Sequence, residues 1–174
     1  MTIPPASLMV AVVGSAICVK ISGRASFASS VDFKTLVNGM AQRGHRRFVL
    51  DLADCLVMDS TFLGVLASLA IKASKAPETA ADGLFELLNP NERVSDLLEN
   101  LGVAHLFKFR TGENPLLAAY EPVASGTTTR AEMTGTSLEA HQTLMQVNPE
   151  NLAKFKDVVK FLAEDLKRQE SAAS

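Results

Sequence analysis

The sequence predicts an alternating α/β domain followed by a helical C-terminal part, and three observations lead there. Arg47-Phe48-Val49-Leu50-Asp51-Leu52 is a compact apolar run of the kind that forms a buried strand. Asp59-Ser60-Thr61 stands directly before the apolar pattern Phe62-Leu63-Gly64-Val65-Leu66-Ala67, which reads as a helix N-terminus. Asn148-Pro149-Glu150 puts a capping residue, a first-turn proline and a first-turn acid in order, a helix start far down the chain.

Taken in order, Met1 to Ser7 with Pro4-Pro5 reads as a flexible leader (residues 1–7). Leu8 to Val13 and Ala16 to Ile21 read as two strands joined by the hairpin signal Gly14-Ser15, and Ser22-Gly23-Arg24 ends the second. Ala25 to Ser30 is a small-residue loop in which Ser29 or Ser30 caps a helix from Val31 to Gln42. Phe33, Leu36, Val37 and Met40 share one face of that helix, and Gly44 stops it.

The strand 47–52 follows, then a connection through Asp54, Cys55 and Met58, then the helix from Asp59. Lys72, Lys75 and Pro77 mark the end of that helix, and Glu78 to Gly83 is a polar loop. Leu84 to Leu88 is a short strand. Asn89 with Pro90 opens a helix carrying Val94, Leu97, Leu98 and Leu101, which Gly102 stops, and Val103 to Phe109 leads into a last short strand. The order β-β-α-β-α-β-α-β accounts for residues 8 to about 110.

Beyond it, Leu117 to Tyr120 adds a strand or packs on a sheet edge, and residues 116–136 read as a linker with the polar run Ser125 to Thr129. Residues 137–170 read as a helical extension, capped first by Ser137 and restarted at Asn148. Leu152, Phe155, Val159, Leu162 and Leu166 make a stripe barely two heptads long. Such a stripe suits a helical hairpin packed on its own domain or on a partner better than a coiled coil. Lys154, Lys156, Asp157, Lys160, Glu164 and Asp165 make its solvated face.

Composition removes several classes of function. The 174 residues are 47% hydrophobic and 21% charged, a globular balance, and a net charge of −2 gives no reason to expect a nucleic-acid partner. Trp is absent and Tyr occurs once, which leaves no stacking platform. Cys18 and Cys55 are isolated and His45, His105 and His141 are scattered, so no metal or other cofactor is expected. Cys18 reads as core filler, and Cys55, in the connection, as a buried or silent thiol sooner than a redox-sensitive one. Leu8 to Val19 lacks a preceding basic residue and is split by Gly14-Ser15, so it is neither signal peptide nor span, and a cytoplasmic protein is expected.

The chemistry concentrates at Asp59-Ser60-Thr61. A helix start exposes unpaired N–H groups and the positive end of the dipole, a field worth about 0.3–1 kcal/mol to a phosphate at an exposed site. Ser60 could carry a phosphoryl group without unfolding its helix, and about −1.5 to −2 of added charge would deepen the acidic patch of Asp51, Asp54 and Asp59. The plainest alternative is that the tripeptide is a helix cap and nothing more. Gly64 asks for a further reason, because a helical Gly costs ~1 kcal/mol relative to Ala. With Ala67, Ser68 and Ile71 it forms a mostly small-residue row that allows close approach of a sheet or partner.

Val49-Leu50-Asp51-Leu52 followed by Asp59-Ser60-Thr61-Phe62-Leu63-Gly64-Val65-Leu66 resembles the signature of STAS domains, the fold of bacterial anti-sigma factor antagonists, also found in sulfate transporters. The resemblance implies a mixed β-sheet with helices packed on one side over residues 8–115, and Ser60 as a regulatory phosphorylation site with Thr61 as the second candidate. It also implies a partner surface including Arg24, Asp54, Asp59, Ser60, Thr61, Phe62 and Gly64, with the Arg24–Ser30 loop near Ser60 and Arg24 an electrostatic neighbour of a phosphate. The sequence departs from the pattern at Phe62, where Gly is common, which is expected to set a large ring beside the switch serine. The implied partners are an anti-sigma factor that is a serine kinase of the histidine-kinase-like ATPase type and a metal-dependent serine phosphatase, with no nucleic acid.

Ordinary anti-sigma factor antagonists end near residue 110 in this numbering, so the helical extension lies outside the resemblance. A second reading makes the chain a non-catalytic STAS scaffold of a transport or signalling complex, with Ser60 only a helix cap. An enzyme is not expected: Gly-x-Ser-x-Gly is absent and Ser60 has no His nearby in sequence. Oligomeric state stays open.

Overall fold

The computed structural model describes residues 2–75, 85–114 and 119–173. The predicted loop Glu78–Gly83, Leu84 and the Leu117-Ala118 part of the predicted edge segment lie outside the described residues. The first hairpin forms where Gly14-Ser15 signals it: β1 (Ser7–Val13) and β2 (Ala16–Ala25) pair antiparallel, and Gly14 turns the chain at φ +61°.

β2 outruns its expected end at Ile21. Its first half pairs parallel with β3 (Arg47–Asp51), and after a register shift between Gly23 and Arg24 its last residues pair parallel with β4 (Cys55–Met58). The expected connection through Cys55 and Met58 is therefore a strand. It is too short and too closely coupled to a β-bulge to be legible as period-two alternation. The leader is held rather than free: Pro4 O accepts from Arg24 N, and a Cβ on Gly23 (φ +79°) would lie 2.8 Å from the carbonyl oxygens of Pro4 and Pro5.

α1 (Phe27–Gln42) starts four residues earlier than expected. Ser26 caps it, with Ser29 closing a capping box, so the predicted Ala25–Ser30 loop is mostly helix. α2 (Ser60–Ser74) follows β4. β5 (Phe85–Leu88) leads to α3 (Glu92–Asn100), whose cap is Asn91 and not Asn89. Asn89 instead adopts φ +56° and exchanges side-chain hydrogen bonds with the Gly112 backbone. A 3₁₀ turn (Ala104–Leu106) and β6 (Lys108–Arg110) complete the sequence-predicted order.

The sheet runs β6-β5-β3-β2-β1 and then β7 (Glu121–Pro122), which pairs antiparallel with β1. The sheet is mixed, as expected: β2, β3, β5 and β6 are parallel and the β1 side is antiparallel.

The main core lies under the helices. Ile17, Val19, Ile21, Phe48 and Leu50 from the sheet meet Phe33, Phe62, Leu63, Leu66 and Leu98, with Phe33 and Phe62 rings 5.0 Å apart. The opposite face is small: Cys18, Val49 and Leu88, covered by Tyr120. Cys18 Sγ lies 2.9 Å from Tyr120 Oη, and Asn114 Nδ2 donates to both. Burial, and next the Cys18 contact, hold the Tyr120 phenol well above its ordinary range.

The expected linker holds about the first two turns of a helix. α4 (Arg130–Val147) begins with Thr129 as cap and Glu132 closing the capping box, so Ser137 is interior to it. Thr129-Arg130-Ala131-Glu132 fits the Thr-x-x-Glu capping pattern, so this start was legible. α5 (Asn151–Ala173) begins after Asn148-Pro149-Glu150 and runs back along α4, with Arg130 3.8 Å from Asp165 and Gln169 Nε2 donating to Thr134 Oγ1. Asn151, fully buried, donates to the carbonyls of Leu101 and Leu144 and ties the turn of this hairpin to the end of α3. Phe155 packs on the main core, Val159, Leu162 and Leu166 are half-buried, and Leu152 is exposed. Among the described residues no helix is long and apolar enough to cross a membrane.

Candidate functional site

The site forms where the two helix starts meet. Met58 pairs with Ala25 across β4 and β2, and Asp59 N donates to Ala25 O, which sets the first turns of α1 and α2 side by side. Asp59 is the N-cap of α2. Its Oδ1 accepts from Phe62 N at 2.8 Å and its Oδ2 from Phe27 N at 2.9 Å. One carboxylate thus serves the positive ends of two helices.

Because Asp59 takes the capping role, Ser60 occupies the first helical position and its hydroxyl points elsewhere. Ser60 Oγ lies 2.9 Å from His141 Nε2 on α4. On the other side of that ring, Nδ1 lies 2.7 Å from the Ser137 carbonyl, which only accepts, so Nδ1 carries the hydrogen. In the neutral ring Nε2 is then the acceptor and the Ser60 hydroxyl donates to it. The imidazole is 4% exposed and stands edge-on to Phe155, with centroids 5.0 Å apart.

The next residue repeats the theme: Thr61 Oγ1 lies 3.0 Å from Ser137 Oγ. One turn on, a Cβ on Gly64 would lie 2.5 Å from Ala140 O and 2.7 Å from Ala140 Cβ. Gly64 is therefore the crossing point of α2 and α4, which accounts for a helical glycine by close approach. At the edge of the seam, Lys34 of α1 pairs with Glu139 of α4 at 2.9 Å. An open cleft of about 300 Å³ borders it, lined by Phe27, Thr61, Arg130, Met133, Ser137 and Leu162.

The structure brings Asp59, Ser60, Thr61 and Gly64 to one seam and puts the remaining expected site residues elsewhere. Phe62 is fully buried against Phe33, so its ring does not stand beside Ser60 at the surface as the sequence had suggested. Thr61 and Gly64 are buried under α4. Asp54 is exposed and pairs with Lys20 at 3.2 Å. Arg24 is exposed at the end of β2, and its backbone is held by Pro4 and β4.

Cys55 is buried in β4, and burial pushes its thiol up to about 11 against a small opposing effect of a backbone hydrogen bond from Ala25. Ser137, Ala140 and His141 were missed, because nothing local marks a residue 81 positions away in sequence as a neighbour of Ser60. Among the described residues no group of His, Cys, Asp or Glu is arranged to hold a metal.

Known proteins share this fold over about 60% of the chain. Unphosphorylated SpoIIAA, an anti-sigma factor antagonist, is 15% identical, with 60% of this chain matched to 88% of that one at a TM-score of 0.51. The NMR structure of TM1081, a Thermotoga maritima protein, is 21% identical, with 59% of this chain matched to 78% of that one at a TM-score of 0.50. Phosphorylated SpoIIAA, a Bacillus cell fate determinant, is 14% identical, covering 60% and 91%, with a TM-score of 0.48. At these identities the likeness to SpoIIAA and TM1081 is one of fold. No curated protein matches the sequence. The STAS domain family model matches residues 7–114, well over half of the chain, so the protein belongs to the STAS domain family.

Proposed function

We propose that this protein is a phosphorylation-controlled partner switch, an anti-sigma factor antagonist whose control residue is Ser60. In this reading unphosphorylated Ser60 permits binding to an anti-sigma factor that is also a serine kinase of the histidine-kinase-like ATPase type. Phosphorylation by that kinase ends the binding, and a metal-dependent serine phosphatase restores it. The protein is the substrate in this cycle and needs no cofactor of its own. Thr61 is the weaker candidate, since its hydroxyl is buried against Ser137.

One observation supports this reading above the scaffold alternative. The cap of α2 is Asp59, so the Ser60 hydroxyl is not consumed in holding the helix. It sits half-buried at a helix start beside a carboxylate, where a phosphoryl group leaves α2 intact and changes what docks on it. A new dianion at the centre of a docking surface opposes any partner that brings negative charge or apolar surface there.

The test is the intact mass and phosphosite map of the protein isolated from its own cells. A fraction about 80 Da heavier, localised to Ser60, is the expected result, and the Ser60→Ala variant should then retain the kinase in a pull-down. Phosphate on Thr61 alone would move the site by one residue. Absence of phosphate in growth, starvation and stress would turn the assignment to the scaffold.

A further inference from the structure

No histidine stands near Ser60 along the chain, yet the fold brings one to it from 81 positions away. A serine hydroxyl becomes an effective nucleophile when a base takes its proton, and that base must itself be oriented by a third group. The seam supplies all of these parts. The Ser60 hydroxyl donates to His141 Nε2 at 2.9 Å, within the reach that proton transfer needs. Nδ1 gives its hydrogen to the Ser137 carbonyl at 2.7 Å, which fixes the tautomer that leaves Nε2 basic. The ring is buried and stands edge-on to Phe155, so little water competes for Nε2.

The base is held by the core of the protein. Ala140 and Leu144 of α4 belong to the main core, and Ala140 meets Gly64 of α2 at contact, so ring and hydroxyl keep their register. The other charged groups of the neighbouring segments are committed elsewhere. Asp59 has one carboxylate oxygen on Phe62 N and the other on Phe27 N. Glu139 of α4 pairs with Lys34, and Lys154 of α5 donates to the Asn100 carbonyl. With its hydrogen on Nε2, the Ser60 oxygen turns its lone pairs away from the ring, and the residue is half-buried, not sealed. The first N–H groups of α2 have no acceptor within the helix and favour an anionic group there.

We propose that Ser60 and His141 form a nucleophile–base pair, in which His141 takes the Ser60 proton as the hydroxyl attacks the phosphorus of a phosphoryl donor. The Oγ–P bond forms, the bond from phosphorus to the leaving group breaks, and the leaving group departs with its electron pair. The hydroxyl proton ends on Nε2, so an imidazolium faces the new phosphate. In the kinase cycle above, the donor is a nucleoside triphosphate and the leaving group its diphosphate. That step rests on the proposed function, whereas the pair itself does not.

Diisopropyl fluorophosphate, a phosphorus electrophile that needs no kinase, tests the pair on the full chain, with fluoride as the leaving group. The label is followed by intact mass and peptide mapping in the parent, Ser60→Ala and His141→Gln. Gln keeps a hydrogen-bond acceptor but not a base, so a slower rate in a variant that melts near the parent reports on basicity.

The expected result is a label on Ser60 in the parent, none in Ser60→Ala, and a rate lower by about 100-fold in His141→Gln. The parent rate should also rise with pH in one sigmoidal step that His141→Gln lacks; if that variant does not fold, the step in the parent decides alone. No label on Ser60 overturns the proposal, as does an equal rate in His141→Gln or a parent rate proportional to hydroxide without a plateau. Labelling that depends on His141, combined with no phosphate in the cellular map, would sustain the pair and reject the phosphorylation reading. Phosphate on Ser60 in cells with labelling indifferent to His141 would do the reverse.

Discussion

His141 Nε2 lies 2.9 Å from Ser60 Oγ, and the ring is fixed from behind by the Ser137 carbonyl and from the side by Phe155. The pair joins the first residue of α2 to the middle of α4 and is the polar centre of the seam. Removing either member leaves a half-buried or buried polar group without its partner, which costs about 1–3 kcal/mol. Removing both costs less than the sum.

A double-mutant cycle with Ser60→Ala and His141→Phe should therefore give a coupling of about 1 kcal/mol in urea unfolding. A coupling within error of zero would mean that the bond contributes nothing in solution.

Gly64→Ala should lower stability by about 1–3 kcal/mol, although Ala is the better helix former. The new methyl would meet backbone atoms of Ala140, which cannot rotate away as a side chain does. Chemical denaturation of the purified variant measures this. A gain in stability would place α4 elsewhere than on Gly64.

Asp59→Ala removes two hydrogen bonds at the starts of α1 and α2, and a loss of about 2 kcal/mol is expected, at the upper end for one cap. Asp59→Asn keeps a capping oxygen and should recover at least half of it. Thermal unfolding of the two variants gives the comparison. Equal losses would show that charge, and not the cap, is what matters.

Phe62→Gly introduces the glycine that the sequence resemblance led one to expect at this position and should nonetheless destabilise this chain. Phe62 is fully buried against Phe33, and large-to-small changes of this kind cost about 3–5 kcal/mol, with ~1 kcal/mol more for Gly inside a helix. A melting temperature near that of the parent would be inconsistent with the ring's place in the core.

Cys55 makes stability fall at alkaline pH. The folded state holds its thiol up to about 11, whereas the unfolded chain releases the proton near the ordinary 9.0. The contribution is whole below pH 9 and is lost as pH rises toward 11, on the order of 2 kcal/mol. The drop in unfolding free energy between pH 8.5 and 10.5 should be smaller in Cys55→Val than in the parent. An identical drop would assign the alkaline loss to other groups.

The strand–helix core was readable because its signals are local. The apolar run 47–52 is β3 to within a residue, Gly14-Ser15 turns the first hairpin, and Asp59 stands where a cap was expected. Where the reading slipped, a neighbour in space decided the matter. β4 exists because the end of β2 offers it parallel partners. Asn89 yields the cap to Asn91 because its side chain is engaged by Gly112. α4 was placed late although Thr129 and Glu132 announce it, because a polar run rich in Thr reads as linker until a helix is seen to use it.

By itself the sequence determined that a mixed α/β domain carries a serine at the start of its central helix. Apolar periodicity and capping residues are properties of short segments and act within a turn or two. Only the tertiary structure decided that this serine faces a histidine and that Gly64 is a helix crossing. The same is true of Phe62 as a core residue and of the extension lying across the proposed control site. Those facts rest on which helix packs against which, and a close crossing leaves no periodic trace in either strand of sequence that forms it.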